Sequence, residues 1–93
     1  MINSFKCKKT EKLCKDGVVD KKFAGFARAA EIRLRYLEAA QDLHDLRSPP
    51  SNRFEALHGD REGQYSIRIN MKWRICFTWS EFGADDVEII DYH

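Results

Sequence analysis

The 93-residue sequence contains no apolar run near the ~20 residues that a bilayer-spanning helix needs. A helical membrane protein is therefore excluded, and no membrane partner is expected. Cysteines are few: Cys7, Cys14 and Cys76 form an odd set without a CxxC, and no histidine stands beside them at ligand spacing. That argues against a disulfide framework and a zinc knuckle, and predicts no metal site and no cofactor. Met1-Ile2-Asn3-Ser4-Phe5-Lys6 lacks the apolar stretch of a signal peptide, so the expected location is the cytoplasm, with free thiols. Only two prolines and five glycines occur, which leaves no linker or low-complexity segment. An excess of one charge is missing too. Sixteen Lys and Arg face fifteen Asp and Glu, giving a net charge of +1, so any polyanion must be met by a local patch.

What is present fits a packed domain. Hydrophobic residues make up 43% and charged residues 33% of the chain, a balance that supports a core and opposes global disorder. The length predicts one domain spanning residues 1–93. The charges segregate: residues 1–35 carry ten Lys and Arg against four Asp and Glu. Taken by itself, that basic third is more simply a solvated helix surface than a phosphate-binding one.

Periodicity sets the elements. Ile2 to Lys6 alternates weakly, as an opening strand would. Lys8 to Lys15 predicts a short helix stopped by Gly17, with Asp20 placed as the N-cap of a longer one. Phe23, Phe26, Ala27, Ala30, Leu34 and Leu37 recur at three- and four-residue steps, tracing an apolar face to about Leu43 or Leu46. The Pro49-Pro50 pair ends that helix. The period then drops to two. Tyr65, Ile67 and Ile69 form one run, Trp73, Ile75, Phe77 and Trp79 a second, and Val87 and Ile89 a third. Turns are expected at Asn70-Met71 and across Glu81–Asp85. The prediction is α+β: two N-terminal helices packed on one face of an antiparallel sheet. Lys72, Arg74, Cys76 and Thr78 then face away from the helices.

Three clusters carry candidate chemistry. Asp91-Tyr92-His93 place a carboxylate, a phenol and an imidazole in succession, and imidazole is the side chain best suited to proton transfer near neutrality. His58-Gly59-Asp60-Arg61-Glu62-Gly63, with Glu55 just ahead, makes a polar turn that needs no role beyond solubility. Lys72-Trp73-Arg74 anchors two cations around an inward aromatic, and a rigid guanidinium presents a fork matched to phosphate oxygens.

Taken in one order, these pieces resemble a known family. Gly59-Asp60-Arg61-Glu62-Gly63-x-x-Ser66-Ile67, then Trp73-Arg74-Ile75-x-Phe77, then Asp91-Tyr92-His93, is similar to the HigB branch of the RelE-type toxins. Met1-Ile2-x-Ser4-Phe5 and Leu46-Arg47-x-Pro49-Pro50 look alike as well, so the likeness spans nearly the whole chain. It implies a compact RelE-like α+β fold and the toxin of a type II toxin–antitoxin pair. It also implies an endoribonuclease that cuts messenger RNA on the translating ribosome, inhibits translation, and is held inactive by a HigA-like helix-turn-helix antitoxin. The toxin alone would be monomeric, and the complex with antitoxin of higher order.

Under that resemblance Arg74 stabilises charge on the phosphate, and Lys72, Arg68 or Arg61 grip neighbouring phosphates. His93 gives or takes a proton, Asp91 orients it, and Tyr92 stacks on a base or positions the 2′-hydroxyl. Some members of the family carry a histidine ahead of the Gly-Asp-Arg-Glu-Gly turn, where this chain has Glu55. Glu55 and His58 therefore both stand as candidates for the remaining proton role. Lys6, Lys8, Lys9, Lys12 and Lys15 would form the ribosomal RNA footprint. A non-catalytic module that binds RNA or a peptide through the same sheet face, and a ribonuclease that needs no ribosome, are the alternatives.

Overall fold

The structure, a computed structural model, describes residues 1–91. Helix α1 (Lys8–Asp16) buries Thr10 and Leu13 and turns its lysines outward. Gly17 ends it in the left-handed conformation at φ 69°, where its N–H bonds the Leu13 carbonyl and the Val18 N–H bonds that of Lys12.

The expected long helix is broken into three pieces. Asp20 does cap, accepting from the Lys22 N–H, but what it caps is a 3-10 turn over Lys21–Phe23. Helix α2 begins only at Ala27, beyond Gly25, and ends at Ala39. Asp42 and Asp45 then cap each other reciprocally and open a second 3-10 turn, Leu43–Arg47. Glycine weakens a helix interior by ~1 kcal/mol, and paired aspartates compete with the helix for backbone N–H groups. The apolar stripe survives these breaks, because Phe23, Ala30, Leu34, Leu37 and Leu46 are all buried in one core.

A four-stranded antiparallel sheet, ordered β1-β2-β3-β4, supplies the other layer. Its strands are β1 (Glu55–Ala56), β2 (Tyr65–Arg68), β3 (Trp73–Ser80) and β4 (Gly83–Asp91). Between β2 and β3 the Asn70 Oδ1 accepts from the N–H groups of both Lys72 and Trp73, which closes the turn. The β3–β4 turn is tighter than expected, since Ser80 already pairs with Gly83. Further along, Cys76 pairs with Glu88 but Thr78 with Asp85, a bulge that places Asp86 at φ 53°. Residues 2–6 form no full strand. Ile2 and Phe5 instead make isolated parallel bridges to Ala84 and Val87, covering the outer edge of β4. Where that cover ends, the buried Thr10 hydroxyl accepts from the Ile89 N–H.

The two sheet faces divide as alternation requires. Ile67, Ile75, Phe77, Val87 and Ile89 join the helices in the core. Trp73 packs against Phe23 and Phe26 at centroid distances of 6.1 and 4.9 Å. Glu55, Ser66, Cys76 and Glu88 are successive partners across the opposite face, beside the row Arg68, Arg74 and Ile90.

Candidate active site

Arg74 is the centre of that open face. Its Nε–H donates to the Ser66 hydroxyl at 2.7 Å and its Nη2 to the Arg53 carbonyl at 2.6 Å. The same Nη2 lies 3.4 Å from the Glu55 carboxylate. Ser66 is fully buried, so the hydroxyl is a fixed anchor. The Arg53 carbonyl is turned toward the guanidinium because that residue takes a left-handed conformation after the 3-10 turn Pro50–Asn52. Three partners on three segments thus fix the plane of the fork.

The Arg74 side chain is only 13% exposed while Glu55 is 52% exposed. Beside them opens a depression of about 320 Å³ lined by Arg53, Glu55, Arg68, Asn70, Met71 and Arg74. Three guanidinium groups against one carboxylate make it a seat for an anion. Arg68 is folded back onto the turn, its Nε donating to the Asn70 carbonyl at 3.1 Å and its Nη2 contacting the Met71 sulfur. Chemically, the site offers a rigid charge clamp with one adjacent carboxylate able to take a proton.

Of the residues singled out by sequence, the structure brings Arg74, Arg68 and Glu55 together. Asp91 pairs with Trp73, so by register it shares the Trp73 face, and its carboxylate sits 3.5 Å from the Lys72 ammonium. Tyr92 and His93 lie outside the described residues. His58 is exposed and stands at the start of the 3-10 turn Gly59–Arg61. Arg61 is engaged by the Gln64 and Glu88 side chains at 3.0 and 3.1 Å. Lys6 reaches the same Glu88 at 4.0 Å, Lys9 pairs with Asp20 and Lys15 with Glu11. Lys8, Lys9 and Lys12 line one shallow groove with Val18 and Asp20.

Ser66, the Arg53 carbonyl and Asn70 belong to the site but were not among the candidates. Ser66 had a detectable signal, a small polar residue in the middle of a strand otherwise rich in Tyr and Ile. Beneath the clamp, Cys76 is wholly buried, and burial pushes its thiol up to about 11. Among the described residues no group of three or more His, Cys, Asp or Glu side chains converges as metal ligands would. None of the described helices is long and apolar enough to cross a membrane.

Comparison with known proteins places the sequence in one family. Over 93 residues, the full length of both chains, the sequence is 32% identical to a Proteus vulgaris protein named endoribonuclease HigB. Over 47 residues it is 51% identical to toxin HigB-1 of Vibrio cholerae serotype O1, a match that spans half of each chain. Residues 3–93 fit the family described as the RelE-like toxin of the type II toxin–antitoxin system HigB. With nearly every residue of the chain inside that match, the protein belongs to the HigB-like toxin family.

Proposed function

We propose that the protein is a toxin endoribonuclease that cuts messenger RNA on the translating ribosome, with residues 1–93 acting as one toxin domain. The observation that carries this reading is the buried, three-point anchoring of Arg74 beside an open, arginine-lined depression suited to an anion. An arginine tied by Ser66 and a backbone carbonyl is organised before substrate arrives, which is what charge stabilisation in a transition state requires. The name of the full-length Proteus relative supports the same activity.

The reaction runs by attack of a ribose 2′-hydroxyl on the adjacent phosphate, without a metal ion. The 2′-oxygen loses its proton, the P–O5′ bond breaks, and the leaving 5′-oxygen gains a proton, which leaves a 2′,3′-cyclic phosphate. Arg74 neutralises the charge that gathers on the phosphorane. Glu55, half-exposed and beside Arg74, is the nearer candidate for the proton acceptor; His58 is the other. His93 supplies the second proton role, Asp91 orients it, and Tyr92 stacks against a base. Lys72 and Arg68 hold flanking phosphates, while Arg61 supports the face through Glu88.

An open depression does not by itself hold a flexible strand in line. Positioning by a large partner lowers barriers by up to ~7–11 kcal/mol, which is the reason for placing the substrate on the ribosome. Lys6, Lys8, Lys9, Lys12 and Lys15 form the footprint on ribosomal RNA. A HigA-like helix-turn-helix antitoxin holds the toxin inactive, and the toxin alone is a cytoplasmic monomer.

The test is to incubate purified protein with a defined message, with and without translating ribosomes, in the presence of EDTA-treated or magnesium-free quench controls, and to map the ends. Cleavage only with ribosomes, leaving cyclic phosphate, and lost on removing His93, is the expected result. Cleavage of naked RNA at equal rate removes the ribosome from the reading. Intact message in both arms, from antitoxin-free protein that still binds antitoxin added afterwards, removes the nuclease.

A further inference from the structure

A second concavity, of about 470 Å³, lies over the outer edge of β1 and is lined by Leu43, His44, Arg47, Phe54, Ala56 and Tyr65, with Glu55 as its wall. Glu55 also lines the Arg74 depression, so the two hollows are neighbours that share one residue of β1. Within the second hollow three planar groups are layered. The Phe54 ring is stacked on Tyr65 at 5.7 Å and 13°, and the Arg47 guanidinium covers Phe54 at 5.2 Å.

The backbone there is unsatisfied in a particular way. Glu55 pairs with Ser66 and the Leu57 N–H bonds the Gln64 carbonyl, so both of these residues turn their polar groups inward toward β2. Alternation then turns the N–H and C=O of Ala56 away from β2, at the open edge of the sheet, and Ala56 lines the hollow. The Arg47 guanidinium plane, backed by the Phe54 and Tyr65 rings, can take a nucleobase on its outer face, and the adjacent donor–acceptor pair can meet the base edge.

We infer that this hollow is a nucleobase subsite, taking the base next to the phosphate seated at Arg74 and so setting which sequences are cut. The inference rests on the proposed nuclease reading. Its occupant is a base of the message rather than a peptide strand, because β1 is two residues long and presents only Ala56 outward, too little for strand addition. Charge permits it: the exposed Arg47 guanidinium offsets the Glu55 carboxylate in the lining, and the base itself is neutral.

The experiment uses the intact toxin with translating ribosomes and a message whose bases flanking the cut are randomised. The variants are Arg47→Ala, which removes an exposed side chain, and Phe54→Leu, which keeps apolar volume but loses the ring. Each should cut at the same ribosomal position with its base preference flattened, and its rate on the best wild-type sequence should fall about tenfold. The pH dependence should be unchanged, since neither residue moves a proton. Wild-type preference at wild-type rate in both variants overturns the subsite while leaving the nuclease standing. Unchanged cleavage with weakened antitoxin binding overturns it in favour of a protein-docking role. Absence of cleavage by the wild-type protein overturns the parent reading, and the subsite falls with it.

Discussion

Ser66 and Arg74 meet across adjacent strands through a 2.7 Å hydrogen bond from the guanidinium Nε to a hydroxyl that no solvent reaches. Two residues of β2 and β3 therefore fix the orientation of the guanidinium proposed to meet the scissile phosphate. The direction of the fork is set by the sheet, not by the ligand.

Arg74→Ala should abolish growth arrest in cells lacking the antitoxin and lower the cleavage rate by at least about 100-fold. Arg74→Lys should not restore it, because an ammonium cannot engage Ser66, the Arg53 carbonyl and a phosphate together. Rate measurements at equal soluble protein check both, and near-wild-type cleavage by either variant would remove Arg74 from the mechanism.

Ser66→Ala should act through Arg74. Losing a hydrogen bond to a charged donor costs about 1.5–3 kcal/mol of stability. The freed guanidinium should lower kcat about tenfold, with KM nearly unchanged. A stability loss with kcat intact would assign Ser66 to packing alone.

Trp73→Ala should fail for a different reason. The indole packs on Phe23 and Phe26 with the Lys22 ammonium 5.7 Å from its ring, so truncation opens the junction between helix layer and sheet. The expected loss is about 3 kcal/mol, the low end for tryptophan because the ring is only partly buried. Urea melts would show it, and soluble yield should fall with it.

Alkaline pH should unfold the protein partly through Cys76. Its thiol is pushed up to about 11 by burial, against 9.0 for the free group. The neutral thiol is thus favoured in the fold: this contribution is complete below pH 9 and is lost as pH rises through 11. About 2–3 kcal/mol disappears over that interval. Cys76→Ala should flatten the difference in stability between those two pH values. Thiol-directed labelling of the native protein should modify Cys7 first and Cys76 last: burial raises the Cys7 thiol, but hydrogen bonds from Thr10 and the Lys9 backbone, with the Lys22 charge, together lower it.

Much of this was legible in the sequence, for definable reasons. Alternation through Trp73, Ile75 and Phe77 fixed which way Arg74 points, because in a half-buried strand one side must be apolar. Gly17 as a helix stop followed from the same local physics. The breaks within 20–47 were not legible, and the sequence reads there as one long helix, since Phe23 to Leu46 keep a helical apolar period even where Gly25 and the Asp42–Asp45 box interrupt the backbone. Strand β1 was invisible: two residues carry no period. The Arg53 carbonyl and the layering of Arg47, Phe54 and Tyr65 arise from tertiary approach and leave no local trace.

The cover that residues 2–6 lay along β4 has a consequence for biosynthesis. Met1 and Asn3 exchange backbone hydrogen bonds with Ala84, and the Ser4 carbonyl accepts from Val87. Residues 2–6 can therefore dock only after β4 has been made, so the outer edge of the sheet closes late in synthesis. Until that moment the fourth strand keeps a bare flank, and the segment that seals it comes from the opposite end of the domain.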